Sequence, residues 1–259
     1  MTVYVGTSGW QYRHWEGRFY PPFLPPTAEL AFYADHFATV EVNATFYGLP
    51  AAPVFEHWAA RTPGDFVFAL KASRFLTHVK RLREPEEPAH LFVERARRLG
   101  PKLGPVLLQL PPTIECDVPL LERALDAFGP GVRIACEFRE PSWFIDPVRE
   151  ALERHGAALC LADRRAELVT PPWVTSDWGY LRFHEGVGGA GPCYDLATLE
   201  ARAGLLTGLW PAHSDVFAYF NDDWLGCAIR DAATFAGLLR DAGRKTSRTP
   251  GPEVVTVAS

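Results

Sequence analysis

An alternating pattern of apolar and polar residues runs through Thr39-Val-Glu-Val-Asn-Ala-Thr-Phe-Tyr-Gly-Leu-Pro50 and predicts a strand that ends in a sharp turn. Successive side chains of a strand point to opposite faces, which gives two sets: Val40, Val42, Ala44 and Phe46 on one face, and Glu41, Asn43 and Thr45 on the other. A carboxylate and an amide on the inner face of a sheet cost free energy unless they are paired, hydrated or used in chemistry. The polar face of this strand therefore indicates a functional site.

Short runs of β-branched and apolar residues recur along the chain, and most are followed by turn residues and a longer helical pattern. The predicted strands are Val3–Thr7, Thr39–Thr45, Phe66–Lys71, Pro105–Leu110, Val132–Phe138, Ala157–Asp163, Tyr180–His184 and Asp215–Asn221. The predicted helices are Ala28–Phe37, Val54–Arg61, Ala89–Leu99, Leu120–Phe128, Pro147–His155, Asp195–Leu209 and Ala228–Ala242. Strands that alternate with helices favour a parallel sheet, so we predict an α/β fold with a single (β/α)8 TIM barrel.

Two segments depart from the regular alternation. The segment Arg164–Thr175 contains Pro171-Pro172-Trp173, so we expect the sixth helix to be short or irregular. Residues 244–259 mix Thr, Ser, Gly and Pro, and we expect them to form a loosely attached tail. The predicted barrel domain therefore spans residues 1–243, and the C-terminal tail spans residues 244–259.

The composition is that of one sizeable globular domain, with 259 residues of which 47% are hydrophobic and 22% are charged. The formal net charge of -5 argues against a globally basic nucleic-acid binder. No apolar run reaches the roughly 20 residues of a membrane-spanning helix, and no secretion signal is visible, so we expect a cytoplasmic protein without a membrane partner. The five cysteines show no Cys-x-x-Cys spacing, which indicates neither a disulfide framework nor a structural zinc site. Cys136 and Cys160 fall in apolar runs and are predicted to be core residues.

Polar or ionisable residues stand at the end of nearly every predicted strand. In a TIM barrel the catalytic groups lie at the C-terminal ends of the strands and in the loops that follow. The residues at these positions are Ser8, Trp10, Glu41, Asn43, Lys71, Gln109, Glu137, Arg139, Asp163, Arg182, His184, Asn221 and Asp222. Three pairs share strand parity and are predicted to point into the same lumen: Glu41 with Asn43, Glu137 with Arg139, and Arg182 with His184.

The carboxylates and the histidine each have a structural and a functional interpretation. Glu41 and Glu137 either form buried ion pairs with neighbouring cations, or one of them acts as a general acid or base. His184 either caps a strand end or transfers protons. Asp163 and Asp222 either cap helices or take part in the chemistry. We name Glu41, Glu137, His184 and Asp163 as the candidate catalytic residues.

The cations and aromatic residues near the same strand ends are candidates for ligand binding. Lys71, Arg139 and Arg182 either balance the glutamates or hold an anion such as phosphate or carboxylate. Aromatic residues in the predicted loops either pack a lid or line a ligand pocket: Trp10, Tyr12, Trp15, Phe19, Tyr47 and Trp143.

Two local motifs are set aside. Gly186-Val-Gly-Gly-Ala-Gly191 matches G-x-G-x-x-G, but it follows the seventh predicted strand and precedes a proline, so we interpret it as a mobile Gly-rich loop over the mouth. The basic run His78-Val-Lys-Arg-Leu-Arg83 is followed at once by acidic residues, which is typical of a solvated surface, and a phosphate-gripping role is its alternative.

Several separated motifs together resemble domain of unknown function 72, the YecE-like family. They are Gly6-Thr-Ser-Gly-Trp10, Phe19-Tyr-Pro21, Thr39-Val-Glu-Val-Asn43 with Thr45-Phe-Tyr47, Lys102-Leu-Gly-Pro105 running into Gln109-Leu-Pro-Pro112, Glu137-Phe-Arg139 with Ser142-Trp143, and Arg182 with His184. The resemblance implies a TIM barrel and places the recurring mouth residues at Trp10, Glu41, Asn43, Tyr47, Lys71, His78, Gln109, Glu137, Arg139, Trp143, Asp163, Arg182, His184, Asn221 and Asp222. It implies no particular reaction. Two positions depart from the family pattern and add carboxylates near the mouth: Glu185 stands where the family often has Gly, and Asp222 stands where it often has the second Asn of Asn-Asn-Asp.

Three functions of different classes follow from these residues. The first is a hydrolase or lyase that uses acid-base chemistry on a phosphorylated or polyhydroxylated substrate, with Glu137 or Glu41 as base and His184 as acid. The second is a metal-dependent phosphodiesterase or isomerase similar to endonuclease IV and xylose isomerase barrels, with candidate ligands Glu41, Glu137, Asp163, His184 and Asp222. The third is a non-catalytic barrel that binds a small anion or an oligonucleotide. We favour the first, with no cofactor and a small anionic or polyhydroxylated ligand, and keep a divalent metal and nucleic acid as the less favoured alternatives.

Overall fold

Eight parallel strands close into a barrel in the computed structural model, which describes residues 1–188 and 193–254. The strands are β1 (Val3–Ser8), β2 (Thr39–Val42), β3 (Val67–Lys71), β4 (Leu103–Gln109), β5 (Ile134–Glu137), β6 (Ala158–Arg164), the two-residue β7 (Glu167–Leu168), β8 (Gly179–Phe183) and β9 (Val216–Phe220). The sheet order is β5-β4-β3-β2-β1-β9-β8-β6-β7, and a further pairing between β5 and β6 closes the barrel. The predicted single (β/α)8 barrel is confirmed.

Helices follow the strands and cover the outside of the barrel. They are α1 (Pro26–His36), α2 (Ala44–Tyr47), α3 (Ala52–Ala60), α4 (Glu86–Ala96), α5 (Val118–Ala127), α6 (Asp146–Arg154), α7 (Leu196–Leu209) and α8 (Cys227–Asp241). Asp117 caps α5 by accepting from the Leu120 N–H at 3.0 Å, and Asp195 caps α7 by accepting from the Thr198 N–H at 2.7 Å. All seven predicted helices are present with ends shifted by a few residues. None of the helices in the described part of the chain is long and apolar enough to cross a membrane.

The second strand is shorter than the sequence predicts. β2 ends at Val42, and the residues expected to continue it form the single turn α2. Thr45 stabilises this turn because its hydroxyl donates to the Val42 carbonyl at 3.0 Å and to the Lys71 carbonyl at 2.8 Å. A run of only four residues fits one helical turn and an alternating strand equally well, so periodicity could not separate the two.

The expected irregularity after the sixth strand is also present. All residues between β6 and β8 are described, and they hold β7, which pairs antiparallel with β6, in place of a helix. The Thr170 and Thr175 hydroxyls anchor the rest of the segment by accepting backbone N–H groups of β6 at 3.1 and 2.8 Å. Pro171 and Pro172 lie between these anchors and cannot donate to a helical ladder.

One layer of side chains fills the barrel lumen, and a second layer packs between the barrel and the helices. The lumen layer consists of Ala69, Leu107, Ala135, Ala158, Cys160, Trp178, Tyr180, Phe217 and Tyr219. Towards the N-terminal ends of the strands, the Tyr4 ring stacks on Phe217 with centroids 4.8 Å apart. Aromatic packing therefore closes that end of the lumen and leaves the C-terminal end for a site. Cys136 and Cys160 are both fully buried, as predicted.

The residues just beyond the predicted domain boundary are attached to the barrel rather than loose. Thr246 forms a parallel bridge with Val3, and the Ser247 N–H donates to the Val3 carbonyl at 2.8 Å. Arg248 pairs with Asp65 at 2.8 Å. Residues 255–259 lie outside the described part, so the division at residue 243 stays a prediction.

A disulfide joins Cys193 to Cys227, which corrects the expectation that the cysteines form none. The two cysteines are 34 residues apart in sequence and meet because the segment before α7 packs against the first turn of α8. Sequence spacing carries no signal for such a long-range pair. Residues 189–192 of the predicted Gly-rich loop lie outside the described residues.

Candidate functional site

The Arg182 guanidinium joins two buried carboxylates at the C-terminal mouth of the barrel. Its Nη1 donates to Glu137 Oε2 at 2.6 Å, and its Nη2 donates to Glu41 Oε1 at 2.8 Å. The three side chains come from β8, β5 and β2 and are at most 1% exposed. Each of the three stands at a strand position whose side chain points into the lumen, which the sequence predicts for Glu41, Glu137 and Arg182.

Further donors complete the hydrogen bonding of the two carboxylates. Ser8 Oγ donates to Glu41 Oε1 at 2.7 Å, and the Tyr180 hydroxyl donates to Glu41 Oε2 at 2.6 Å. Arg139 Nε donates to Glu137 Oε1 at 3.0 Å. Glu41 is completely buried, and both of its oxygens accept hydrogen bonds.

The electrostatic environment keeps Glu137 ionised. Burial alone would raise the pKa of this carboxyl, but Arg182, His184 and Arg139 together lower its pKa well below the ordinary value. Burial lowers the pKa of His184, against the opposing effect of Glu137, so its imidazole is neutral near pH 7. Its Nε2 lies 3.3 Å from Glu137 Oε1, an electrostatic contact without the alignment of a regular hydrogen bond.

Lys71 stands at the end of β3 and belongs to the same charged group. Burial and the nearby Arg182 lower the pKa of Lys71 to about 8, although Glu41 and Glu137 oppose this shift. We call Glu41, Lys71, Glu137, Arg139, Arg182 and His184 the mouth cluster. Three cations of this cluster face two carboxylates, so it keeps one positive charge in excess when His184 is neutral.

A cavity of about 370 Å³ opens beside the mouth cluster. Glu137, Arg139 and His184 line its polar side, and Phe138 and Phe144 are among its apolar walls. Arg164 adds a further cation at the wall. Apolar walls with a few convergent polar groups are the usual composition of a small-molecule site.

Other predicted binding residues lie around the mouth cluster. Asn43 Nδ2 donates to the Ser8 carbonyl at 3.4 Å, while its Oδ1 is buried without a partner in the described residues. Gln109 pairs in register with Glu137 and donates to the Leu110 carbonyl at 3.1 Å. The remaining three are His78, which packs edge-on against the Phe46 ring; Tyr47, which is 81% exposed; and Asn221, which directly follows β9.

Asp163 and Asp222 stand at strand ends as predicted, but their side chains contact residues of the covering helices and do not join the mouth cluster. Asp163 has the opposite parity to the lumen residues of β6, and it accepts from Arg202 Nε at 2.6 Å and from the Tyr194 hydroxyl at 2.8 Å. Asp222 lies against Asp231 of α8. We call Asp163, Tyr194, Arg202, Asp222, Arg230 and Asp231 the helix-side cluster. Neither Asp163 nor Asp222 caps any of the described helices.

Two predicted aromatic residues belong to the outer core. Trp143 is fully buried, stacks on Phe138 with centroids 4.6 Å apart, and donates from Nε1 to the Ile114 carbonyl at 2.7 Å. Trp10 is 5% exposed and packs edge-on against Trp58. Trp143 and Trp10 therefore pack in the core beneath the loops, and neither belongs to the mouth cluster.

The proposed metal ligands do not come together. Within the described residues, no group of three or more His, Cys, Asp or Glu side chains is arranged to hold a metal ion. Glu41 and Glu137 are occupied by Arg182, and Asp163 and Asp222 lie on the helix side. As they are placed in the described part of the chain, these donors therefore do not fit a divalent metal site.

Three residues of the site were absent from the predicted set. Tyr180 lies two residues before Arg182 and shares its parity, so the same alternation that selects Arg182 could have selected it. Ser8 is among the predicted polar strand ends, but the sequence indicates no role for it. Phe46 was assigned to the face opposite Glu41, but the turn α2 places its ring 4.3 Å beneath the Lys71 ammonium.

This architecture defines a TIM-barrel protein with a buried, mixed-charge cluster at its C-terminal mouth. The chain belongs to the family described as Protein of unknown function DUF72, whose model matches residues 4–254. It is similar to the UPF0759 protein YunF of Bacillus subtilis, with 32% identity over 57% of this chain and 54% of YunF. It is also similar to the UPF0759 protein YecE of Escherichia coli, with 31% identity over 55% of this chain and 50% of YecE. The chain thus spans about half the length of the curated relatives it matches.

A solved structure supports the same family and fold. The crystal structure of a DUF72 family protein from Thermotoga maritima is similar with a TM-score of 0.81 and 28% identity, over 93% of this chain and all of that one. The resemblance noted in the sequence motifs is therefore confirmed.

Proposed function

We propose that the mouth of the barrel is the active site of an enzyme that performs acid-base chemistry on a small phosphorylated or polyhydroxylated anion. The observation that supports this is the excess positive charge of the mouth cluster beside a cavity lined by Arg139 and His184. A buried cationic excess attracts an anionic group, and the low local dielectric strengthens that attraction.

The geometry favours a division of roles among these residues. Glu41 and Glu137 are enclosed and hydrogen-bonded, so we assign them to holding Arg182, and Glu137 also to positioning the His184 ring. His184 is the proton-transfer group, because a neutral imidazole at the cavity wall both accepts and returns a proton near pH 7. Arg139 holds the anionic group of the substrate, with Lys71 adding positive charge.

A turnover screen tests this proposal. The full chain is incubated with a panel of phosphorylated sugars and their unphosphorylated counterparts, and conversion is followed by phosphorus and proton NMR. For any converted compound, His184→Gln is expected to lower kcat about 100-fold, because general acid-base groups contribute at least that much. Arg139→Gln is expected to raise KM about tenfold through loss of a charge-assisted contact.

A matched surface variant and the binding measurements separate the alternatives. Arg149→Gln removes an exposed arginine that pairs with Glu153 at 2.9 Å, and it should leave both kinetic constants unchanged. Conversion that survives His184→Gln would contradict the assigned role. Tight calorimetric binding of phosphate without conversion of any compound would instead favour a non-catalytic anion-binding barrel.

A further inference from the structure

We propose that Lys71 is the nucleophile of this site and forms an imine with the carbonyl carbon of an open-chain hydroxycarbonyl phosphate. This inference rests on the proposed function and deepens it, since it names the substrate class and the covalent step. It moves the chemistry towards lyase and isomerase reactions, in which an imine serves as an electron sink.

The Lys71 ammonium has no anionic partner of its own. Within the described residues, no acceptor lies within ion-pair or hydrogen-bond distance of its Nζ, which instead sits 4.3 Å from the centroid of the Phe46 ring. The partly buried Lys102 differs, because its Nζ donates to the Ala59 and Thr62 carbonyls at 2.6 Å. Lys80 pairs with Glu84 at 2.7 Å. The Lys71 amine therefore lacks an acceptor within the described residues, and its side chain is partly exposed at the end of β3.

Arg182 explains why Lys71 is left without a partner. The guanidinium occupies Glu41 and Glu137, which are the two carboxylates whose charges Lys71 feels. The arginines then act on Lys71 as like charges, and together with burial they lower the pKa of its ammonium to about 8. About a tenth of the amine is consequently neutral at pH 7, a far larger fraction than for an ordinary lysine. A lysine next to cationic groups in a partly desolvated site is the usual form of a nucleophilic lysine.

The covalent step balances without any further reagent. The lone pair of the neutral amine attacks the carbonyl carbon, and the electron pair of the C=O bond moves to the oxygen, which takes up a proton. The resulting carbinolamine loses its hydroxyl as water after a second proton transfer, and the nitrogen gives up one of its protons. Amine, carbonyl compound and one proton thus yield an iminium and water. The charges of Arg182, Glu137 and Arg139 act on both His184 and Lys71, and we assign the transfer of these protons to His184.

Arg139 explains why the carbonyl compound should carry a phosphate group. Arg139 is partly exposed at the cavity, and within residues 1–188 and 193–254 its one ion-pair partner is a Glu137 oxygen, so it retains donors for a phosphate. A phosphate held there neutralises the cationic excess. A hydroxycarbonyl phosphate is therefore favoured over the same compound without phosphate.

Reductive trapping tests the proposal. The full chain is incubated with glyceraldehyde 3-phosphate and cyanoborohydride, which reduces an iminium to a stable secondary amine, and the modified lysines are mapped by peptide mass spectrometry. The chain has four lysines, Lys71, Lys80, Lys102 and Lys245, so three of them serve as internal controls. We expect Lys71 to be modified about tenfold or more faster at pH 7 than the exposed Lys245, because more of its amine is neutral. The rate at Lys71 should rise with pH to a midpoint near 8, and excess inorganic phosphate should slow it.

Two lysine variants, one at the proposed nucleophile and one control, make the trapping experiment specific. Lys71→Arg keeps the charge and should remove the fast modification, whereas Lys80→Arg should leave it unchanged. Equal rates at Lys71 and Lys245, or a rate at Lys71 that phosphate does not affect, would overturn the proposal. If phosphate still binds by calorimetry and Arg139→Gln weakens that binding, only the imine step has failed. If phosphate does not bind and the turnover screen is silent, the proposed function itself has failed.

Discussion

The mouth cluster and the helix-side cluster lie at the same ends of the barrel strands, yet they handle buried charge in opposite ways. In the mouth cluster, Arg182 pairs with two carboxylates, and the pKa of Glu137 is lowered well below its usual range by Arg182, His184 and Arg139. In the helix-side cluster, burial and the neighbouring Asp231 raise the pKa of Asp222 well above its usual range. A carboxyl group in the lumen thus has a lowered pKa, whereas a carboxyl group on the helix side has a raised pKa.

Strand parity is what separates the two clusters. Residues that point into the lumen meet side chains from other strands, as Glu41 meets Arg182 across 141 positions in sequence. Residues of the other parity meet the covering helices, as Asp163 meets Arg202 of α7. Shared strand ends therefore do not make a shared site, and each cluster should respond to its own set of substitutions.

Removal of Arg182 should produce the largest effect. Arg182→Met leaves Glu41 and Glu137 buried without their cation, and we expect the free energy of unfolding to fall by about 3–5 kcal/mol. Urea unfolding followed by circular dichroism measures the change. Adding Glu41→Gln and Glu137→Gln to this variant should recover part of the loss, because the uncompensated charges are then gone. The control is Arg154→Met, an exposed arginine paired with Glu122, which should cost less than about 1 kcal/mol.

Removal of the disulfide should produce the next largest loss of stability. The disulfide adjoins the helix-side cluster, because Cys193 precedes Tyr194 and Cys227 begins α8. Cys193→Ser with Cys227→Ser removes the link between the segment before α7 and the start of α8, and we expect a loss of about 3 kcal/mol from the greater freedom of the unfolded chain. Thiol reductant should destabilise the parent protein by a similar amount and leave the double variant unchanged. Cys116→Ser, which alters a free thiol, is the control. A reductant effect that persists in the double variant would show that the stability lies elsewhere.

The sequence predicted the barrel well because its signal is periodic. Short apolar runs recur along the chain with helical patterns between them, and Val67–Lys71 lies within one such run. The predicted strand Thr39–Thr45 extends past the observed end at Val42 into the turn Ala44–Tyr47, because one helical turn carries too few residues to show a period. The disulfide was missed because its cysteines are brought together only by the packing of α7 and α8.

The sequence identified several residues of the candidate site but not the contacts among them. Position at a strand end selected Glu41, Glu137 and Arg182, and their parity agreed. The same rule also selected Asp163, although its parity relative to Cys160 already placed it on the helix side. No sequence pattern indicates that Arg182 occupies both glutamates and so leaves Lys71 alone, because that choice depends on distances across the lumen.

A smaller effect is expected when Glu137 loses its charge. A carboxyl whose folded-state pKa is lowered stabilises the fold at pH values above its unfolded pKa of about 4.3, and this stability is lost as pH falls through the folded value. Glu137→Gln should therefore be about 2 kcal/mol less stable at pH 7, and it should lose less stability than the parent protein between pH 5 and pH 3. Parallel stability curves for the two proteins across this range would contradict the assignment of the mouth cluster as an ionised network.

The smallest effect should come from Asp222 and should have the opposite pH direction. A carboxyl whose folded-state pKa is raised stabilises the fold below its unfolded pKa of about 3.9, and this stability is lost as pH rises through the folded value. Asp231 already accepts from the Tyr194 N–H at 2.7 Å, so a neutral group facing it is favoured. Asp222→Asn keeps that group neutral at every pH and should be about 1 kcal/mol more stable than the parent protein at pH 8, with no gain at pH 4. Asp241→Asn, an exposed change on the same helix as Asp231, should show no such trend. If Asp222→Asn is instead destabilising at pH 8, the carboxylate is ionised and the two clusters handle charge alike.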